Sequence, residues 1–166
     1  MIVPVYQGRT ETIQCIKSVL SAMNATECEL IVVNDKSPDG DLTKDLRDMQ
    51  KTEHLTLMGN EANLGFVATV NRAMKLHPAR DVILLNSDTV VPPMHSIDRL
   101  RQAAYSARNI GTVTPFSDNA EICSFPLISA ENSLPDELSL AAEALAERVE
   151  KDGFAVLELV GNPDQK

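Results

Sequence analysis

Two aspartates stand where a carboxylate is costly to leave unpaired. Asp88 follows Val82-Ile83-Leu84-Leu85 and Asn86-Ser87, an apolar run that would carry it to the carboxyl end of a buried strand. A charge there needs a cation or strong donors. A hard divalent ion such as Mg²⁺ or Mn²⁺ would satisfy it and would also bind a diphosphate, while capping of the next turn is the alternative. Asp35 follows Ile31-Val32-Val33-Asn34 in the same way. It would either accept a hydrogen bond from a base or sugar, or close an Asx turn before Pro38. His54, His77 and His95 share no ligand spacing, and Cys15, Cys28 and Cys123 are too far apart for a zinc knuckle or a redox motif. Gly8-Arg9-Thr10 is no glycine-rich phosphate loop. No Ser–His–Asp or Cys–His constellation can be argued from the sequence.

The elements that must position these residues alternate. Short apolar runs at Ile2 to Tyr6, Glu29 to Asn34, Leu55 to Met58 and Asp81 to Asn86 read as strands, the last being the clearest. Between them, Ile13, Ile16, Leu20 and Met23 recur at helical spacing after a capping Thr10. Leu42, Leu46 and Met49 mark a second helix, and Val67, Val70 and Met74 one face of a third. Ile97, Leu100 and Ala104 give a fourth helix, Ile110 to Thr114 a further strand, Leu138 to Val149 a late helix and Phe154 to Val160 a final strand. Such alternation predicts an α/β fold with a mostly parallel sheet. Ligands of these sheets bind outside the carboxyl ends of the strands. The unusual polar residues do gather there, in Tyr6-Gln7-Gly8, Asn34-Asp35-Lys36-Ser37 and Asn86-Ser87-Asp88-Thr89.

Composition narrows the function. The 166 residues are 43% hydrophobic and 23% charged, an ordinary globular composition. The net charge of −9 disfavours a nucleic-acid partner, whose phosphates need a basic face. Nine of the 24 acids fall in residues 130–166, where a solvated helix face accounts for them. No apolar run approaches the ~20 residues of a transmembrane segment, and Met1-Ile2-Val3-Pro4 lacks the pattern of a signal peptide.

Taken in order, several segments resemble family-2 glycosyltransferases, inverting enzymes of the GT-A fold. They are Ile2-Val3-Pro4-Val5-Tyr6, Cys15-Ile16-Lys17-Ser18-Val19-Leu20, Ile31-Val32-Val33-Asn34-Asp35-Lys36-Ser37, Asn63-Leu64-Gly65-Phe66 with Asn71-Arg72, and Leu84-Leu85-Asn86-Ser87-Asp88-Thr89. Val113 to Asn119 is a weaker match. The resemblance implies a GT-A, Rossmann-like sheet flanked by helices. It implies a nucleotide-sugar-binding domain over residues 1–126. Residues 127–166 would be an acidic helical segment and tail that begin an incomplete acceptor half, so that the fold is truncated.

The same resemblance implies roles. Pro4 and Tyr6 line the base and ribose pocket, Asp35 hydrogen-bonds the base, and Asn63 and Gly65 shape the loop beside the nucleotide. Asn71 or Arg72 faces the nucleotide from its helix. Ser87 belongs to the same binding set, and Asp88 ligates Mn²⁺ or Mg²⁺ on the diphosphate. Asn34 and Asn86 replace acids that the family often carries, which leaves Asp35 and Asp88 as single carboxylates. No catalytic base is assigned, because Glu131, Asp136, Glu137 and Glu143 read as surface charge.

The resulting expectation is metal-assisted transfer of a sugar, with inversion, from a UDP-, dTDP- or GDP-linked donor to a carbohydrate, lipid or protein acceptor. Cell-surface polysaccharide biosynthesis is the expected setting. The expected location is the cytoplasm, with peripheral attachment at the inner membrane surface and homo-oligomer formation left open. A non-catalytic nucleotide-sugar-binding module is the alternative. A nucleotidyltransferase ranks last, because Gln7-Gly8-Arg9-Thr10 is a poor match to the loop it needs.

Overall fold

The computed structural model describes residues 1–23, 28–92 and 96–115. Their elements, in order, are β1 (Ile2–Val5), α1 (Arg9–Ala22), β2 (Ile31–Asn34), α2 (Gly40–Thr52), β3 (Thr56–Gly59), α3 (Gly65–Met74) and α4 (Ser96–Ala104). The three strands form one parallel sheet in the order β1-β2-β3. Residues Met1–Ser96 make one compact unit, and a second begins at Ile97. The expected late helix and final strand, Phe116 to Asn119 of the weak match, and the acids from Glu131 onward lie outside the described residues.

Register sets the level of the site. Ile2 pairs with Ile31, which pairs with Thr56, and Val5 pairs with Asn34, which pairs with Gly59. The carboxyl ends are therefore flush. One step further on, the Asp35 N–H donates to Val5 O at 2.8 Å and the Asn60 N–H to Asn34 O at 2.9 Å. Tyr6, Asp35 and Asn60 thus emerge at one level.

The fourth expected strand is reduced. Asp81 to Asn86 runs parallel to β1 on its far side, but one bridge, Ile2 to Leu84, is all that qualifies as pairing. Two hydrogen bonds hold it, Ile2 N–H to Ile83 O at 2.9 Å and Leu85 N–H to Ile2 O at 3.1 Å. The apolar run is paired on one side only among the described residues, and Leu84 is 38% exposed. Even so, the chain has crossed from β3 to the opposite side of β1. That crossing puts the topological switch point between β1 and residues 83–85, where open α/β sheets bind ligands. Ile110 to Thr114 forms no strand.

Side chains alternate across the sheet. Ile2, Ile31 and Val33 form one buried cluster with Ala73 of α3, and Met58 and Val82 pack against it. Val3, Val5 and Val32, of opposite parity, are also fully buried. On both helices that follow, the buried face is rotated from the expected one. Thr12, Cys15, Ile16 and Val19 are buried on α1, and Thr69, Val70 and Ala73 on α3. Val67 is 70% and Met74 39% exposed. Small and hydroxyl-bearing residues face inward because they bond to, or pack closely on, the loops and strands beneath them.

Helix starts differ from expectation once. Thr10 does not cap α1. Gly8 holds that position at φ 82°, with no side-chain cap. Asp39 does cap α2, accepting from Asp41 N and Leu42 N at 2.9 Å each. At the amino ends of the strands, Glu29 accepts from Arg80 Nη1 at 2.8 Å, and His77 Nε2 lies 2.8 Å from the same carboxylate oxygen.

Candidate functional site

The Asp35 carboxylate is 4% exposed and sits one residue beyond β2. Oδ1 accepts from Asn60 Nδ2 at 2.6 Å and from Leu64 N at 2.8 Å, and Oδ2 accepts from Gly65 N at 2.9 Å. Burial pushes its pKa up. The donors at Leu64, Asn60, Thr69 and Gly65 outweigh burial and hold the carboxyl below its ordinary range. The strand-end aspartate is thus an anion fixed against the start of α3. It is no Asx-turn residue. Asn34 serves that purpose instead, its Oδ1 accepting from Ser37 N at 2.8 Å.

The loop before α3 is shaped to deliver those amides. Gly65 has φ +76°, and a Cβ built there would meet nothing within 4 Å. Glycine is therefore required by backbone conformation and not by space. Asn63 Oδ1 accepts from the same Gly65 N–H at 2.9 Å, which closes the turn. Both amides then point at Asp35.

Asn60 completes the network. It is 8% exposed, and its Nδ2 also donates to Thr69 Oγ1 at 2.9 Å. Its Oδ1 accepts a short hydrogen bond from Arg72 Nη1, which donates as well to Gly59 O at 2.7 Å. Arg72 thus folds back over the end of β3, with its other N–H groups free of this network. Sequence reasoning passed over Asn60 and Thr69. The strand-end rule that selected Asp35 would also have selected Asn60, one residue after β3.

The second part of the site is the turn Asn86 to Thr89, closed by Thr89 N–H donating to Asn86 O at 3.2 Å. Helix α1 grips it from below. Cys15 Sγ donates to Asn86 O at 3.5 Å, and Ser18 Oγ accepts from Val91 N at 2.9 Å. Burial, with the nearby Asp88 charge, pushes the Cys15 thiol up to about 12. Ser87 is 8% exposed, whereas Asp88 is exposed. Contrary to the sequence expectation of a buried charge, Asp88 needs no cation to offset burial, because its exposed carboxylate can be hydrated. Its position still suits a metal. Mg²⁺ is commonly held by one or two carboxylates plus phosphates and water, so one exposed carboxylate at a strand end is an adequate anchor. Among the described residues no group of three or more His, Cys, Asp or Glu side chains could form an all-protein cage.

The structure therefore unites Asp35, Asn63, Gly65 and Arg72 in one hydrogen-bonded cluster. Ser87 and Asp88 lie on a separate turn at the same end of the sheet. Pro4 is half-buried within β1, Tyr6 is 40% exposed at its end, and Asn71 is exposed on α3 beside Arg72. A parallel sheet with a switch point, a fixed carboxylate and an exposed acid at its carboxyl edge defines an open α/β protein, a class that binds its ligands at that edge.

The comparisons with known proteins make the class specific. The family model for glycosyl transferase family 2 matches residues 1–120, and the chain belongs to that family. Residues 1–349 of S. aureus TarS superpose with a TM-score of 0.51 at 21% identity, over 63% of this chain and 31% of that one. The same protein in complex with UDP-GlcNAc gives 0.53 at 22% identity, over 63% and 30%. A longer structure of TarS gives 0.51 at 23%, over 61% and 19%. At these identities the likeness establishes the shared GT-A fold. The chain spans about a third or less of the solved chains it matches. No curated protein matches it.

Proposed function

We propose that this chain binds a nucleoside-diphosphate sugar at the carboxyl edge of its sheet and serves sugar transfer with inversion. The carrying observation is the Asp35 carboxylate, ionised and fixed at the end of β2, with Asp88 exposed on the turn across the switch point. A base edge with an N–H would donate to Asp35. Such a ligand would approach Oδ2, which takes one of the three bonds from Asn60, Leu64 and Gly65, Oδ1 taking two, and it would join the Thr69 hydroxyl as a further donor to the carboxylate. The free N–H groups of Arg72 would donate to the nucleotide. Tyr6, with Pro4 behind it, would flank base and ribose from β1, and Asn63 and Asn71 would border the nucleotide from the loop and helix. Asp88, with Ser87 beside it, would hold Mg²⁺ or Mn²⁺.

When bound, the metal would neutralise the charge of the departing diphosphate. The chain's own residues supply orientation, aligning the anomeric carbon for attack from the opposite side by an acceptor hydroxyl. The bound UDP-GlcNAc of TarS favours a UDP-linked donor over dTDP- or GDP-linked ones. A cytoplasmic enzyme of cell-surface polysaccharide biosynthesis fits this reading, with a carbohydrate, lipid or protein as acceptor.

The test is to incubate the chain with nucleotide sugars and Mn²⁺, measuring nucleoside diphosphate release alongside binding by calorimetry. Binding with release supports the enzyme. Binding without release, with acceptors present, would reduce the chain to a binding module. Absence of binding overturns the proposal.

A further inference from the structure

We infer that Asn60 is the positioning residue of this site: it joins Asp35 to Arg72 and fixes how both face a bound nucleotide. The inference rests on the nucleotide-binding reading above.

The chemistry of the three partners leaves the Asn60 amide one orientation. Its NH₂ group lies 2.6 Å from a carboxylate oxygen and 2.9 Å from the Thr69 hydroxyl, both able to accept. Its carbonyl oxygen meets a guanidinium, which only donates. A flipped amide would oppose donor to donor at Arg72 and acceptor to acceptor at Asp35. Every polar atom of the side chain is thus committed, and its backbone N–H is bonded to Asn34 O at 2.9 Å. A buried and fully satisfied network of this kind has one geometry.

That geometry places an amide between two opposite charges. Without Asn60, the Asp35 carboxylate and the guanidinium that reaches from α3 over the end of β3 would have no amide between them to complement each charge. The amide gives each its complement. The acid stays an acceptor and the guanidinium keeps N–H groups, so a base edge with neighbouring donor and acceptor is met by both. Asn60 itself touches no ligand in this arrangement.

Two substitutions test this, with uridine diphosphate and Mg²⁺ as the probe. Asn60→Ala should weaken binding about 10- to 100-fold, the loss expected when a hydrogen bond to a charged group is removed. Asn60→Asp has a sharper signature. Two carboxyls at that spacing cannot both ionise. While the new carboxyl is protonated it donates to Asp35 as the amide did, so affinity should approach the unaltered value at about pH 5. It should then fall about tenfold or more towards about pH 8. Affinities are read as the ratio of variant to unaltered chain at each pH, which cancels the titration of the nucleotide's own phosphate at about pH 6 and leaves the change due to the new carboxyl.

A structural role alone would lower melting temperature in both variants and leave affinity and its pH profile unchanged, and that result overturns the inference. Should Asn60→Ala fail to fold, Thr69→Val removes the amide's second anchor, together with the hydroxyl's own support of Asp35, and should weaken binding in the same direction. If the unaltered chain binds no nucleotide, the proposed function fails by itself. Carbon-13 NMR titration of the Asp35 carboxyl then decides the Asn60 inference. An upward shift in Asn60→Asp supports it, and an unmoved titration overturns it.

Discussion

Asp35 carries two roles that pull on the same atoms. It is a tie between β2 and α3 and the acid proposed for the base. As a tie, it holds three charge-assisted hydrogen bonds, each typically worth about 1.5–3 kcal/mol. Asp35→Ala should therefore cost ~3 kcal/mol or more, read from urea denaturation. Its lowered pKa also fixes a pH dependence. The contribution is fully present above the ordinary carboxyl value of about 3.9 and is lost as pH falls through the lower native value. Between about pH 4 and pH 2 the unaltered chain should lose more stability than Asp35→Asn does. Cys15 gives a second expectation at this scale. With its pKa near 12, the buried thiol should resist iodoacetamide at pH 8 until the chain is denatured, as peptide mass spectrometry would show.

At the level of elements, the site depends on two turns and the helices that hold them. Gly65→Ala should cost ~1–2 kcal/mol, because the left-handed backbone penalises any Cβ although space for one exists. Loss of the Gly65 and Leu64 amides from Asp35 should accompany it, visible as changed amide exchange at both positions. Ser18→Ala should cost ~1 kcal/mol by leaving Val91 N–H without its acceptor. It should also loosen the turn that carries Asp88, so that metal-dependent nucleotide affinity falls further than stability does. Thermal melting and calorimetry on one sample would separate these effects.

The strands and helices of the first 74 residues were legible in the sequence, because apolar runs and helical spacing there coincide with the observed elements. Asp35, Asn63, Gly65 and Arg72 were legible as a set through the family resemblance. The buried faces of α1 and α3 were not. Hydrophobic spacing favours the largest apolar residues, whereas Thr12, Ser18, Thr69 and Ala73 face inward for hydrogen bonding or close approach; the burial of Cys15 as a small core residue was legible. Asn60 was missed for a related reason: a lone asparagine after a strand reads as a turn residue until three partners surround it. The Asp81 to Asn86 run was over-read, since apolarity predicts burial and cannot specify how many neighbours a strand will find.

Across the whole first unit, the two edges of the sheet are chemically unlike. The amino ends are tied by Glu29 to His77 and Arg80. The carboxyl ends present Tyr6, the Asp35–Asn60–Arg72 network and the Asp88 turn around a switch point. Nucleotide is expected to bind at that carboxyl edge. Amide chemical-shift mapping on the nitrogen-15-labelled chain, titrated with uridine diphosphate and Mg²⁺, tests it most directly. The predicted result is saturable shifts confined to Tyr6, Asp35, Asn60, Gly65, Arg72, Ser87 and Asp88 and their neighbours. Shifts centred on Glu29, His77 and Arg80, or none at saturating nucleotide, would contradict it.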